Sequence, residues 1–216
     1  MSALPPNASI ATPSEGAKLF APSAERNLPV ITAFLSEVAP PQGRALEIAS
    51  GTGQHIVALA TALPNIDWFP SEIAPERMAS INAYAASAQL SNIHTAIALD
   101  ATKQGWSALH APFDLIHLGN LLHLISQPAA HTLLTEASLA LPPKGTLTLY
   151  GPFMRNGALT SDGDAQFHTE LSTANPAIGY KDDQWINEVL TSAGLSLSVR
   201  EMPANNLAFI AKRTPT

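Results

Sequence analysis

The stretch Arg44-Ala45-Leu46-Glu47-Ile48-Ala49-Ser50-Gly51-Thr52-Gly53-Gln54-His55 decides the fold. Arg44–Ala49 is a short apolar run of strand character, ended by small residues. From Gly53 to Leu63 the apolar positions change to helical spacing, with Ile56, Ala60 and Leu63 on one face. A strand that turns through glycines into a helix is the opening unit of an open parallel α/β sheet. Glycines at that turn adopt positive φ and let the backbone come close to a ligand. Ligands of such sheets bind outside the carboxyl ends of the strands, where strand order reverses.

The same alternation continues downstream. Ile66–Pro70 reads as a second strand, Pro75–Ala88 as a helix opened by its proline, and Thr95–Leu99 as a third strand. Phe113–Leu118 reads as a fourth strand, Pro128–Leu141 as a helix, and Thr146–Tyr150 as a fifth strand. This order implies βαβ units and a mostly parallel sheet covered on both faces. The tail differs. Leu195–Val199 and Leu207–Phe209 alternate with period two around a turn at Met202–Asn206, which predicts a hairpin closing one sheet edge.

Upstream, Met1–Pro22 is rich in Pro, Ser and Ala and reads as an irregular lead-in, residues 1–22, to a single domain over residues 23–216. A helix is predicted from Asn27 as N-cap, with Pro29 in its first turn and Pro40-Pro41 at its end. The long segment Gly151–Pro176 has no strong periodicity. Its polar residues suit either an acceptor-binding loop or a solvated connector.

Composition excludes several classes. The chain has 216 residues, 46% of them hydrophobic and 13% charged, which is enough to build a core. The net charge is −6 and no Lys/Arg run exists, so nucleic acid and anionic membrane surfaces are disfavoured as partners. Cysteine is absent, and no secretory leader or membrane span is legible, so the expected location is cytoplasmic. No His-Glu-x-x-His pattern suggests a metal site, and no Gly-x-Ser-x-Gly elbow suggests a hydrolase. The expected state is a monomer or homodimer acting on a small molecule.

Three carboxylates give the glycine turn its meaning. Glu47 precedes it, Glu72 follows the second strand 19 positions beyond Gly53, and Asp100 follows the third strand. Glu72 suits a pair of ribose hydroxyls, and Asp100 an exocyclic amine. Position 56 is Ile, where a dinucleotide fingerprint would have a third glycine to seat a pyrophosphate. Glu47 would oppose a phosphate but suits an ammonium or a sulfonium, both of which S-adenosylmethionine carries. That ligand is favoured over NAD(P). Each acid taken singly could also be a solvated strand-end group.

The pattern of an acid followed by alternating small residues, Glu47, Ala49, Gly51, Gly53, resembles that of class I S-adenosylmethionine-dependent methyltransferases, with Ala49 where the family has its first glycine. More narrowly, LEIASGTGQH, APSAERN (Ala21–Asn27), LYGPF (Leu149–Phe153) and MPANN (Met202–Asn206) resemble the domain-of-unknown-function 938 family, which includes methyltransferase-like protein 26. The resemblance implies a Rossmann-like fold with a seven-stranded sheet whose last strand is antiparallel. It implies that Glu47 and the Ala49–Gly53 turn, including Ser50 and Gly51, hold the methionine part. Glu72 would take the ribose, with Ile73 and His55 in the same site. Asp100 and the backbone of Ala101 would take adenine, and Asn120 and Leu121 would lie beside the sulfonium. Arg26 and Asn27 are expected to fold over the cofactor, with Arg26 pairing its carboxylate.

Asn120, His123 and Tyr150 are the candidates for catalysis. His123 follows the fourth strand and either touches substrate or caps and packs the next helix. His117 lies within that strand and is a candidate core residue. Tyr150 and Phe153 either wall the acceptor pocket or pack in the core. Two other readings compete: a catalytically silent cofactor-binding or protein-interaction domain of the same fold, and an NAD-dependent oxidoreductase.

Overall fold

A computed structural model describes residues 8–214. The first seven residues of the lead-in lie outside that range. The described part of the lead-in forms a small hairpin, β1 (Thr12–Pro13) with β2 (Leu19–Phe20).

The helix α1 spans Pro22–Val38, starting six residues earlier than Asn27 as N-cap implied. Its N-cap is Ala21, whose side chain makes no cap, so the start had no capping signal except Pro22 in the first turn. Asn27 and Pro29 both sit inside the helix. Ile31, Phe34 and Leu35 on its inner face are at most 3% exposed, a burial that stabilises by about 1.5–3 kcal/mol per side chain.

The sheet is built from β3 (Gly43–Ile48), β4 (Ile66–Glu72), β5 (Ile97–Ala98), β6 (Leu115–Gly119), β7 (Thr146–Met154), β8 (Lys181–Asp182), β9 (Leu195–Glu201) and β10 (Asn206–Arg213). Their order is β5-β4-β3-β6-β7-β10-β9, with β8 appended to the end of β7. That is the expected seven-strand path plus one short strand. β3 through β7 are mutually parallel, while β10 runs antiparallel to both β7 and β9. The tail hairpin is therefore where the sequence places it, and it closes the β7 side of the sheet. β5 has two residues and is an edge strand paired only with β4.

Helices cover both faces. On one face α1, α2 (Gln54–Ala62) and α3 (Pro75–Ala88) bury Ala45, Leu115, Trp68 and Ile210. On the other, α4 (Trp106–His110), α5 (Gln127–Leu139) and α7 (Asp183–Ser192) bury Leu46, Ile116, Leu149 and Phe209. Segment 151–176 is not structureless. It extends β7 to Met154 and contains α6 (Asp162–Ala174), capped by Ser161, whose hydroxyl accepts from the Asp164 amide at 3.2 Å. No helix among the described residues is long and apolar enough to cross a membrane.

β3 has β4 on one side and β6 on the other, so the chain reverses direction across the sheet at the β3–β6 pair. The carboxyl ends of these strands bound the crevice in which an open α/β sheet takes its ligand.

Candidate functional site

Backbone and hydroxyl bonds fix the turn after β3. Ser50 N donates to Ser71 O at 2.8 Å, Ser71 Oγ donates to Glu47 O at 2.9 Å, and Ser50 Oγ donates to the same carbonyl at 3.2 Å. Ala49, Gly51 and Gly53 all have positive φ, at 54°, 61° and 92°. The two glycines serve different purposes. A Cβ on Gly53 would lie 2.7 Å from Ile81 Cα, so this glycine lets α3 close onto α2. A Cβ on Gly51 would meet nothing nearer than Arg77 Nη1 at 3.6 Å, an ordinary van der Waals contact with a flexible side chain, so no close packing demands glycine here.

The three carboxylates stand on adjacent strand ends. Glu72 bridges two loops: its Oε2 accepts from Gly51 N at 3.2 Å and its Oε1 from Ile73 N at 2.8 Å. Each oxygen keeps a lone pair for a further donor. Ile73 beside it is 55% exposed, an apolar side chain left at the rim. Leu99 N donates to Glu72 O at 3.1 Å, which sets Asp100 next to Glu72. Asp100 Oδ1 accepts from Thr102 N at 3.1 Å and from Thr102 Oγ1 at 2.5 Å, closing its own turn. Ala101 is buried, and its carbonyl accepts from the Trp106 indole at 3.1 Å.

Glu47 is the deepest of the three, 3% exposed. Its Oε2 has no hydrogen-bond partner among the described residues. Burial pushes its pKa up to about 7, the Ser50 contact opposes this, and the Glu72 charge adds to it.

Across the switch point, Asn120 holds a left-handed conformation (φ 54°), and its amide donates to Tyr150 O at 2.8 Å. Leu121 packs half-buried against the core. His123 lies in a single 3-10 turn, Leu122–Leu124, edge-on to Phe167 at 5.7 Å and to Tyr180 at 6.2 Å. Burial, with a smaller contribution from the Lys181 charge, pushes His123 down to about 3, so the imidazole is neutral. Tyr150 is core, packed with α1 and α2, and its hydroxyl accepts from Asn206 Nδ2 at 3.2 Å. Phe153 does not wall a pocket: it is 3% exposed and stacks edge-on with Phe209 at 4.8 Å.

The first turns of α1 sit over the glycine turn. Ala21 N donates to Gln54 Oε1 at 2.7 Å and Gln54 Nε2 to Glu25 at 3.1 Å. His55 Nε2 meets the Ala24 carbonyl at 3.0 Å, which makes His55 a tie between α2 and α1. Arg26 is exposed on this segment and Asn27 half-buried.

One cluster was not foreseen. Leu171, Ile178 and Tyr180 form a separate small core with Leu124, Met154, Leu159, Phe167 and Ala8 packed on it, so α6 and Ala8 meet beside His123. Tyr180 donates to Asp164 at 3.0 Å, and Lys181 Nζ donates to the Ile125 and Gly179 carbonyls, each at 2.8 Å. The available signal was local: Ser161 and Asp164 in capping spacing, then Phe167 and Leu171 four apart. Among the described residues no group of three or more His, Asp or Glu is placed to hold a metal ion.

Solved structures share this fold. An O-methyltransferase family protein from Burkholderia thailandensis matches with a TM-score of 0.77 at 16% identity, over 89% of this chain and 58% of its own. A putative O-methyltransferase from Nostoc punctiforme PCC 73102 matches with a TM-score of 0.74 at 19% identity, over 88% and 56%. PigF, solved with SAH (S-adenosylhomocysteine), matches with a TM-score of 0.74 at 20% identity, over 88% and 56%. This chain thus spans less than three-fifths of the length of each. The fold is the Rossmann-like one these proteins have, with an antiparallel hairpin at its end. The model of the family described as "Protein of unknown function (DUF938)" matches residues 18–213, nearly the whole chain, and the chain belongs to that family.

Proposed function

We propose that this protein is an S-adenosylmethionine-dependent methyltransferase that acts on a small-molecule acceptor. The carrying observation is the convergence of Glu47, Glu72 and Asp100 on the carboxyl edge of β3, β4 and β5, beside a turn of positive-φ residues. The unpartnered buried oxygen of Glu47 fits a cationic ligand and not a pyrophosphate. The SAH in PigF and the methyltransferase names of the other two neighbours support the same reading. Kinship with methyltransferase-like protein 26 is part of this proposal.

In this reading Glu47 and the Ala49, Ser50, Gly51 and Gly53 backbone receive the methionine part, and Arg26 and Asn27 close over its carboxylate. Glu72 accepts from the ribose hydroxyls. Ile73 lays its exposed side chain on the base, and Asp100 with Ala101 reads the adenine edge. His55 contributes through the placement of α1. The bound cofactor supplies an already activated methyl group, so the protein chiefly has to orient the acceptor and exclude water. Asn120 and Leu121 border the reacting centre. Neutral His123, backed by Phe167 and Tyr180, offers a lone pair that takes a hydrogen bond from an acceptor hydroxyl and so orients its oxygen toward the methyl. Tyr150 holds Asn120 through its backbone carbonyl.

Calorimetric titration with S-adenosylmethionine and S-adenosylhomocysteine, followed by labelled-methyl transfer to a metabolite panel, tests the assignment. Binding with turnover is the expected result. Binding without turnover assigns the silent cofactor-binding domain, and binding of a nicotinamide cofactor alone assigns the oxidoreductase.

A further inference from the structure

Two consecutive residues of the lead-in, Ala8 and Ser9, touch opposite banks of the crevice. Ala8 packs on the small core of Leu171, Ile178 and Tyr180, whose tyrosine also backs His123. Ser9 is bonded to α3: Arg77 Nη2 donates to Ser9 Oγ at 2.7 Å and to Ser9 O at 3.3 Å. Arg77 itself stands at the glycine turn, its Nη1 being 3.6 Å from where a Cβ on Gly51 would lie. Adjacent Cα atoms are only about 3.8 Å apart, so the chain joins these two banks in one residue step. α3 follows β4 and α6 follows β7, and β3 and β6 lie between those strands in the sheet. At Ala8–Ser9 the lead-in therefore passes over the carboxyl ends of β3 and β6, the switch point itself.

The segment that makes this crossing is lightly held. None of residues 8–20 is buried. Two bonds close the turn of its hairpin on itself: Ser14 N donates to Lys18 O at 2.8 Å and Lys18 N to Glu15 O at 3.0 Å. Apart from Ser9, its ties to the domain gather at the other end. Leu19 N donates to Ser80 Oγ at 2.8 Å, and Lys18 Nζ lies 5.3 Å over the Tyr84 ring. Ala21 is the first buried residue, and its amide is held by Gln54. The segment is thus anchored at residues 19–21 and latched at Ser9, with an exposed stretch between. A segment with so few buried apolar contacts opens at low free energy while the core stays folded.

We propose that residues 8–20 form a strap that closes the crevice, with Arg77 and Ser9 as its latch. The strap pivots near Ala21. When shut it reaches from the glycine turn to the cluster beside His123, and so covers both the cofactor and the acceptor. Ligands enter and leave while it is open, and methyl transfer takes place while it is shut and water is kept out. The inference rests on the cofactor reading above.

A gate differs from an ordinary binding contact in its kinetics. Loss of a contact speeds dissociation alone, whereas loss of a gate also speeds association, because the open fraction no longer limits entry. Two variants release the latch from either side. Deletion of residues 2–11 removes Ala8 and Ser9 and leaves both strands of the hairpin, and Arg77→Ala removes the donor. In stopped-flow measurements with S-adenosylhomocysteine, each should raise the association rate constant about threefold or more and the dissociation rate constant by at least as much. The full chain gives a readout that does not depend on how the variants fold. Tryptic cleavage after Lys18 should slow about threefold or more at saturating S-adenosylhomocysteine, since the ligand holds the strap shut. Association no faster in either variant than in the full chain, or cleavage after Lys18 that the ligand does not slow, overturns the strap and leaves the cofactor assignment standing. Failure of S-adenosylhomocysteine to bind the full chain overturns the assignment itself, and the role of the strap with it.

Discussion

The Glu72 carboxylate accepts the Gly51 amide with one oxygen, at 3.2 Å, and thereby ties the end of β4 to the turn after β3. The other oxygen accepts from Ile73 N at 2.8 Å. A group that shapes the turn and also receives the ribose should fail in both roles when truncated. Glu72→Ala should cost about 1–3 kcal/mol of stability, because two amides lose a charged acceptor. It should weaken S-adenosylhomocysteine binding by at least about tenfold. Denaturant unfolding and calorimetry check the two parts separately.

Gly53 should tolerate no side chain. Its φ is 92°, and an added Cβ would sit 2.7 Å from Ile81 Cα, a backbone atom that cannot rotate away. Gly53→Ala should cost about 2–4 kcal/mol from left-handed strain and overpacking. At this chain length that lowers Tm by about 2–4 °C per kcal/mol. Gly51→Ala meets only the end of the Arg77 side chain and should cost less. Thermal melts of the two variants decide it.

His123 should matter to kcat and not to cofactor affinity. His123→Asn should lower kcat by up to about 10²-fold, through loss of acceptor orientation, and change the Kd for S-adenosylhomocysteine by less than about threefold. Because burial pushes this imidazole down to about 3, the kcat profile should show no limb near pH 6.5 from His123.

Stability should fall on acidification, with a slope that changes near pH 4.5. His117 and His123 titrate near 6.5 when unfolded and about 3 when folded. The unfolded chain then binds more protons between those values, so each imidazole loses about 1.4 kcal/mol per unit as pH falls from 6.5 toward 3. Glu47 is raised from 4.5 to about 7, so it loses stability as pH rises from 4.5 through 7 and offsets one imidazole within that window. From these three groups the net loss should be about 1.4 kcal/mol per unit between pH 6.5 and 4.5, and about twice that below 4.5. Urea midpoints across pH 3.5–7 measure it, and His123→Asn should flatten the upper segment.

Legibility followed periodicity and strand ends. The parallel core, the switch point and the tail hairpin were legible because β3, β4, β6 and β7 are short, mostly apolar runs between helical patterns, and β9 and β10 flank a Pro/Asn turn. The start of α1 was not, since Ala21 makes no cap and Asn27 offered a false one. α6 was missed because its only buried residue is Leu171, too thin an apolar face to set a period. Glu47, Glu72 and Asp100 could be placed from strand ends alone. The unpartnered Glu47 Oε2 and His117 Nε2 could not, because which buried polar atoms go without a partner depends on β3–β6 register and on packing around it.

The most direct test of the central claim is a calorimetric titration of the full chain with S-adenosylhomocysteine. A cationic nucleoside site bounded by Glu47, Glu72 and Asp100 predicts one site per chain with a Kd in the micromolar range, on the order of −8 kcal/mol. No heat of binding at millimolar ligand would contradict it.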